Sequence, residues 1–268
     1  MTHDREALRT TFEQVPELYD RARPAYPDQV FDDIGALGGL SPAARVVEIG
    51  CGTGRATVPL AERGYRITCV ELGPRLAAVA RRNLASFPGV EVVEADFETW
   101  QPDRAELDAI VAFTAFHWIA PEVRYRKTAA LLRTGGKLAV VSTNHVQPDD
   151  GDPFFVDVQE DYKAVVPDDP STKAAVGGPP PPDAIVSLSA EIAASGHFRV
   201  VAVRRYLWEV SYTTDEYIDL LNTYSGHRAY DDETRERILS RIRRRIDARP
   251  GGTARKSYLA TLDVAERL

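Results

Sequence analysis

Two cysteines in 268 residues, Cys51 and Cys69, leave too little material for a disulfide framework, and their spacing matches no metal site. A reducing compartment is the simpler expectation. No apolar run approaches the roughly 18 residues of a membrane span, and the opening Met1-Thr2-His3-Asp4-Arg5-Glu6 is polar and charged. These absences predict a cytoplasmic protein with no membrane partner. Positive charge is short as well: 33 Lys and Arg stand against 40 Asp and Glu, a formal net charge of −7. A polyanion is repelled on average, so nucleic acid is not an expected partner.

What is present is hydrophobic material, at 44% of positions, enough for one large α/β core with a cap. Short β-branched runs alternate with helical patterns from residue 45 onward. Strands are expected at Arg45 to Ile49, Arg66 to Glu71, Val90 to Glu94, Leu107 to Phe113 and Lys137 to Ser142. Their apolar continuity predicts burial on both faces, hence a parallel sheet covered by helices such as Pro74 to Phe87. From Thr143 to about Phe198 the rhythm breaks into Pro/Gly-rich stretches around a helix near Phe154 to Val165, which reads as an insertion able to cover a pocket. Phe198 to Tyr212 and Lys256 to Val264 then have strand character, enclosing helices near Thr214 to Tyr224 and Asp231 to Asp247, and predict closure by an antiparallel strand.

The last helix carries Arg235, Arg237, Arg241, Arg243, Arg244 and Arg245, which invites a nucleic-acid reading. Ile238, Leu239, Ile242 and Ile246 share one of its faces, so the arginines are expected on a solvated face instead.

The run Val46-Val47-Glu48-Ile49-Gly50-Cys51-Gly52-Thr53-Gly54 reads as a buried strand entering a glycine turn and then a helix, where the backbone can approach a ligand closely. A dinucleotide fingerprint needs a third glycine where Arg55 or Thr57 stands, so a nicotinamide cofactor is not expected. Glu71 ends the next strand, at the distance where a carboxylate meets ribose hydroxyls. Asp96-Phe97, beyond the third strand, supplies a carboxylate for an adenine amine and an apolar ring for the purine face. Asp96 reads equally as a turn residue.

These elements resemble the class I S-adenosylmethionine-dependent methyltransferases. The resemblance rests on Glu48-Ile-Gly50-Cys-Gly52-Thr-Gly54, Glu71, Ala95-Asp96-Phe97, Phe113-Thr-Ala-Phe-His117-Trp118 and Leu131-Leu-Arg-Thr-Gly135-Gly136-Lys-Leu. The upstream Tyr19-Asp-Arg-Ala-Arg23-Pro-Ala-Tyr26-Pro27 is similar to the small-molecule subgroup that includes trans-aconitate and ubiquinone/menaquinone-type enzymes. The resemblance implies a Rossmann-like seven-stranded, mostly parallel sheet with an antiparallel strand near the C-terminus and a mainly helical cap. It divides the chain into an N-terminal helical cap segment (1–40), an S-adenosylmethionine-binding core (41–142), an insertion or substrate cap (143–197) and C-terminal strands and helices (198–268). It also implies that Glu48, Gly50, Cys51, Gly52 and Gly54 hold the methionine part, Glu71 the ribose, and Asp96 and Phe97 the adenine, with Leu72 and Phe113 also at the cofactor. Tyr19, Arg23 and Tyr26 close over the cofactor, or belong to an ordinary amphipathic helix.

The reaction expected is in-line methyl transfer to a small-molecule acceptor, for which positioning can suffice and a base is optional. His117 is the first candidate base and His145 the second; either can instead be a packed or loop histidine. Trp118, Tyr224 and His227 are candidate substrate contacts, the latter two alternatively a helix C-cap and its anchor. No Asn-Pro-Pro-Tyr or Asp-Pro-Pro-Tyr segment follows Phe113, and no carboxylate set marks a catechol-type magnesium site, so no metal is expected. Two other readings stay open: a cofactor-binding enzyme that does not methylate, such as a cyclase, and a non-enzymatic binding module using Arg241 to Arg245.

Overall fold

The computed structural model describes residues 12–102, 105–170 and 177–268. Seven strands form one sheet: β1 (Arg45–Ile49), β2 (Arg66–Glu71), β3 (Val90–Glu94), β4 (Leu107–Phe113), β5 (Leu132–Val146), β6 (Phe198–Thr213) and β7 (Thr253–Arg267). Their order is β3-β2-β1-β4-β5-β7-β6. Pairings from β3 through to β5 are parallel, and β7 runs antiparallel to both β5 and β6. The chain order reverses at β1, where ligands of such sheets bind beyond the carboxyl ends.

Helices α1 (Pro16–Ala22), α2 (Asp28–Gly38), α3 (Thr57–Glu62), α4 (Pro74–Asn83) and α5 (Pro121–Leu131) accompany the parallel half. The later helices are α6 (Phe154–Asp157), α7 (Gln159–Val165), α8 (Ser189–Ala194), α9 (Thr214–Leu221), α10 (Ser225–Arg228) and α11 (Asp232–Asp247). One sheet face packs on Phe31 and Ile34 of α2 and Leu60 of α3. The other packs on Tyr125 and Leu131 of α5 and Ile192 of α8. A third apolar cluster joins Phe154 and Phe155 to Leu220, Ile238, Ile242, Ile246 and Tyr258, so α6, α9 and α11 form a cap over the β7 side. Ile238, Leu239, Ile242 and Ile246 of α11 are all buried, as its apolar spacing requires.

The first four strands have the bounds expected of them, but β5, β6 and β7 run further. β5 begins at Leu132 because the ladder continues past Gly135-Gly136 through a register shift between Leu107 and Ala109 of β4. A Cβ on Gly136 would meet the Arg133 and Leu107 carbonyls at 2.9 Å, so only glycine fits that irregularity. β5 also continues through Thr143 to Val146, placing the expected 142/143 boundary inside a strand. Of the expected insertion, residues 171–176 lie outside the described residues, as do residues 1–11 of the N-terminal segment. The expected helix from Phe154 to Val165 is two short ones meeting at Val158, and that from Thr214 stops at Leu221. Among the described residues no helix is long and apolar enough to cross a membrane.

Candidate functional site

The turn after β1 is held open by three glycines with positive φ: Gly50 at 64°, Gly52 at 59° and Gly54 at 87°. Two of them are fixed by what they face. A Cβ on Gly50 would lie 2.8 Å from that of Ala115, and Gly52 sits beneath the Tyr19 ring, offering its N–H to Glu71 Oε2 at 2.8 Å. Gly73 N–H donates to Oε1 of the same carboxylate at 2.9 Å, so Glu71 ties the loop to the end of β2. Burial pushes the Glu71 pKa up, against these backbone donors.

Two chambers open on this turn and share Tyr19, Arg23, Gly50, Gly52, Phe113 and Thr114 as walls. The smaller, about 190 Å³, is lined further by Glu71, Leu72, Ala95 and Phe97, then by His117, Trp118 and Ile119. It sets the Glu71 carboxylate in one wall with the apolar side chains of Leu72, Ala95 and Phe97. Asp96 is not on its wall: one oxygen of its carboxylate accepts from the Glu98 N–H at 2.9 Å, the turn arrangement typical of such an Asp. His117 stands exposed at the rim with its ring centroid 4.8 Å from that of Trp118. Desolvation and the nearby Arg124 lower its pKa.

The larger chamber, about 360 Å³, is bounded by Tyr26, Glu48, Cys51, Thr53 and Arg55 near the turn. On the opposite side stand Thr143, His145, Trp208, Tyr224, Lys256 and Tyr258. Strand register explains that side: His145 of β5 lies opposite Tyr258 of β7, which lies opposite Trp208 of β6. Two-residue alternation then puts Thr143 with His145 and Lys256 with Tyr258 on the same face.

Glu48 is 1% exposed and accepts from Thr57 Oγ1 at 2.7 Å. Burial raises its pKa to about 7, Thr57 opposing and Glu71 adding to the rise. Tyr26 shares a hydrogen bond with Thr114 Oγ1 at 3.2 Å and packs edge-on against Phe113; burial takes its pKa to about 12. A hydrogen bond with Cys69, with burial adding, holds the Cys51 thiol well above the ordinary range. His145 packs edge-on against Phe155 at 4.5 Å, and burial, with Lys256 adding, lowers its pKa to about 2. It is therefore a neutral ring and a weak proton acceptor at neutral pH.

Tyr224 receives a hydrogen bond from Lys256 Nζ at 2.9 Å, and the Arg23 guanidinium lies 4.5 Å from its ring centre. Burial pushes the Tyr224 pKa up, but Lys256 and Arg23 outweigh that and leave it below the usual value. His227 lines neither chamber. It is buried in the cap, 2.9 Å from Tyr162 Oη, with its pKa lowered to about 4 chiefly by burial. Gly54 also lines neither, packing instead where a Cβ would meet Leu84 at 3.0 Å.

The structure thus gathers fifteen of the eighteen expected residues around two joined chambers, His145 among them, and leaves three outside: Gly54 packs against Leu84, Asp96 closes its own turn after β3, and His227 is in the cap core. Sequence reasoning missed Thr143, Trp208, Lys256 and Tyr258. The signal that reaches them is two-residue alternation on the three long strands, once the register is known.

Residues 46–136 match a family described as "Methyltransferase domain". The chain is 33% identical over 143 residues to an uncharacterized methyltransferase of Mycobacterium tuberculosis, covering 53% of this chain and 55% of that protein. It is 32% identical over 142 residues to the trans-aconitate 2-methyltransferase of Escherichia coli, covering 50% and 52%. It therefore spans about half the length of the curated relatives it matches. Among solved structures, one from Anaeromyxobacter dehalogenans provisionally assigned as a type II methyltransferase has a TM-score of 0.63 at 22% identity, covering 90% of this chain and 97% of that one. The YcgJ protein of Bacillus subtilis has a TM-score of 0.51 at 14% identity, covering 90% and 98%. At these identities the two structures speak for the fold. Residues 46–136 thus match a methyltransferase domain, and the chain shares the fold of the Anaeromyxobacter dehalogenans structure.

Proposed function

We propose that this protein binds S-adenosylmethionine and transfers its methyl group to a small-molecule acceptor. The observation that carries the reading is the Glu71 carboxylate, fixed by the Gly52 and Gly73 N–H groups at the wall of a chamber that Leu72 and Phe97 also line. That donor set fits the cofactor. A buried carboxylate retains lone pairs for two ribose hydroxyls, an apolar slot suits a purine, and a glycine turn without side chains admits a chain running toward the larger chamber.

Bound there, the sulfonium supplies an electrophilic methyl group. Glu71 would hold the ribose, Leu72 and Phe97 would flank the base, and Tyr19 and Arg23 would exclude water from above. Glu48 and the Gly50–Gly52 backbone would face the amino-acid end. In the larger chamber Thr143, His145, Tyr224 and Lys256 would orient the acceptor, and alignment of this kind can contribute roughly 7 to 11 kcal/mol in favourable cases. The trans-aconitate relative adds support for a small-molecule acceptor rather than a macromolecule.

Calorimetric titration of ligand-free protein with S-adenosylmethionine and with S-adenosylhomocysteine tests the reading. Saturable binding of both is expected; a folded, ligand-free protein that binds neither overturns it. With an acceptor in hand, turnover without stoichiometric S-adenosylhomocysteine would replace methyl transfer by the non-methylating alternative.

A further inference from the structure

Unpaired buried polar atoms are concentrated in the larger chamber. Thr53 Oγ1, Thr143 Oγ1, His145 Nε2 and Trp208 Nε1 all belong to its walls, and none has a hydrogen-bond partner among the described residues. Buried polar groups are normally satisfied, so such a cluster marks a place where a ligand completes the bonding. Trp208 Nε1 can only donate, and the two hydroxyls and the imidazole can donate too.

Beside them lies Lys256, 3% exposed, with no carboxylate within 4 Å among the described residues. Its Nζ donates to Tyr224 Oη and lies 5.0 Å from the Tyr224 ring centre and 5.2 Å from that of Tyr258. Aromatic faces offset part of the loss of water around an ammonium, but an anion is its natural complement. The chamber's other cations are engaged. Arg23 donates to Thr223 Oγ1 and O at 2.9 and 3.0 Å between the Tyr19 and Tyr224 rings, and Arg55 donates to the Asp20 carbonyl at 2.5 Å. Glu48, the carboxylate on the wall, is bonded to Thr57. Aromatic side chains at Tyr26, Phe113, Trp208, Tyr224 and Tyr258 surround the remaining space and suit a flat apolar body.

We propose that the larger chamber takes a planar, singly charged carboxylic acid, whose carboxylate pairs with Lys256 and accepts from Trp208 Nε1. One lysine bonded to a phenol but to no carboxylate favours one negative charge over several. The acid's role as methyl acceptor rests on the methyl-transfer reading above, whereas its binding does not.

The test is calorimetric titration of the full chain, saturated with S-adenosylhomocysteine, with benzoate, cinnamate and indole-3-acetate and with the three corresponding amides. At least one acid is expected to bind, its amide at least about tenfold more weakly, because the amide leaves the buried ammonium without its anion. Lys256→Met is expected to weaken that acid by about tenfold or more while leaving S-adenosylhomocysteine affinity unchanged. Trp208→Phe should weaken it by a smaller factor, and carries the test if the lysine variant does not fold. The proposal fails if none of the acids binds, if acid and amide bind equally, or if both variants keep the acid's affinity. If S-adenosylhomocysteine itself does not bind, the acids are titrated into the free protein: binding there keeps the anion site and removes the donor reading, and no binding removes both.

Discussion

Strands β1 to β4 are five to seven residues long, whereas β5, β6 and β7 run for 15 or 16 residues. The short half holds its chamber with backbone groups, a glycine turn and one buried carboxylate. The long half extends its strands past the switch point and builds a second chamber from alternating side chains: Thr143 and His145, Trp208, Lys256 and Tyr258. The first arrangement leaves little freedom in residue choice. The second can change its ligand by changing side chains on strands that remain strands, which is how one fold hosts many acceptors.

The sharpest way to break this comparison is Glu71→Ala. The change removes the carboxylate proposed to hold the ribose and leaves the Gly52 and Gly73 N–H groups without their partner, an expected loss of about 3 kcal/mol, or roughly a hundredfold in S-adenosylhomocysteine affinity. Calorimetry should show that loss while circular dichroism shows a retained fold; unchanged affinity would take Glu71 out of the site.

Glu48→Gln addresses the same half through pH. The folded pKa of Glu48, about 7, lies above the ordinary carboxylate value of 4.5, so stability from its protonated form is full below about pH 4.5 and is lost as pH rises through 7. The charged form costs about 3 kcal/mol at higher pH. The glutamine variant, which keeps a partner for Thr57, should lose less thermal stability than wild type between pH 5 and pH 8. The difference should be roughly 6 °C or more, and parallel melting curves for the two proteins would show that Glu48 titrates normally.

The two histidines sharpen the contrast with smaller effects. His117→Ala, in the chamber of Glu71, is expected to weaken S-adenosylhomocysteine only a few-fold, about 1 kcal/mol. His145→Ala, in the chamber of Lys256, should raise the KM for acceptor without altering the shape of the rate profile between pH 6 and 9, because the wild-type imidazole stays neutral throughout that range. A titration near pH 6.5 that disappears in either variant would instead identify that histidine as the base.

Legibility followed the same division. The bounds of β1 to β4 were readable because strands buried on both faces leave continuous apolar runs. The glycine turn, Glu71 and Phe97, which line one chamber, were readable because close backbone approach restricts the residues of the turn and a family resemblance marks the other two. Asp96 was harder, since a turn and an adenine contact favour the same residue. His227 sits in a sequence that suits a pocket edge, but tertiary packing turns it toward Tyr162 and the cap. Lys256 and Trp208 gave no local signal at all. Their meeting depends on an antiparallel register set more than 45 residues apart in the chain, which no spacing within either strand records.

Helix α1 and the Arg23 that follows it line both chambers through Tyr19 and Arg23, and the outer face of the helix carries ion pairs in contact with water: Arg21 with Asp219 at 3.1 Å and Arg82 with Glu17 at 2.7 Å. Pairs of this kind contribute about 0 to 1 kcal/mol each and weaken as salt accumulates. The Arg23–Thr223 and Arg55–Asp20 bonds on its inner side do not depend on salt in this way, so raising ionic strength is expected to loosen only the outer edge of the wall and to speed ligand exchange more than it weakens affinity.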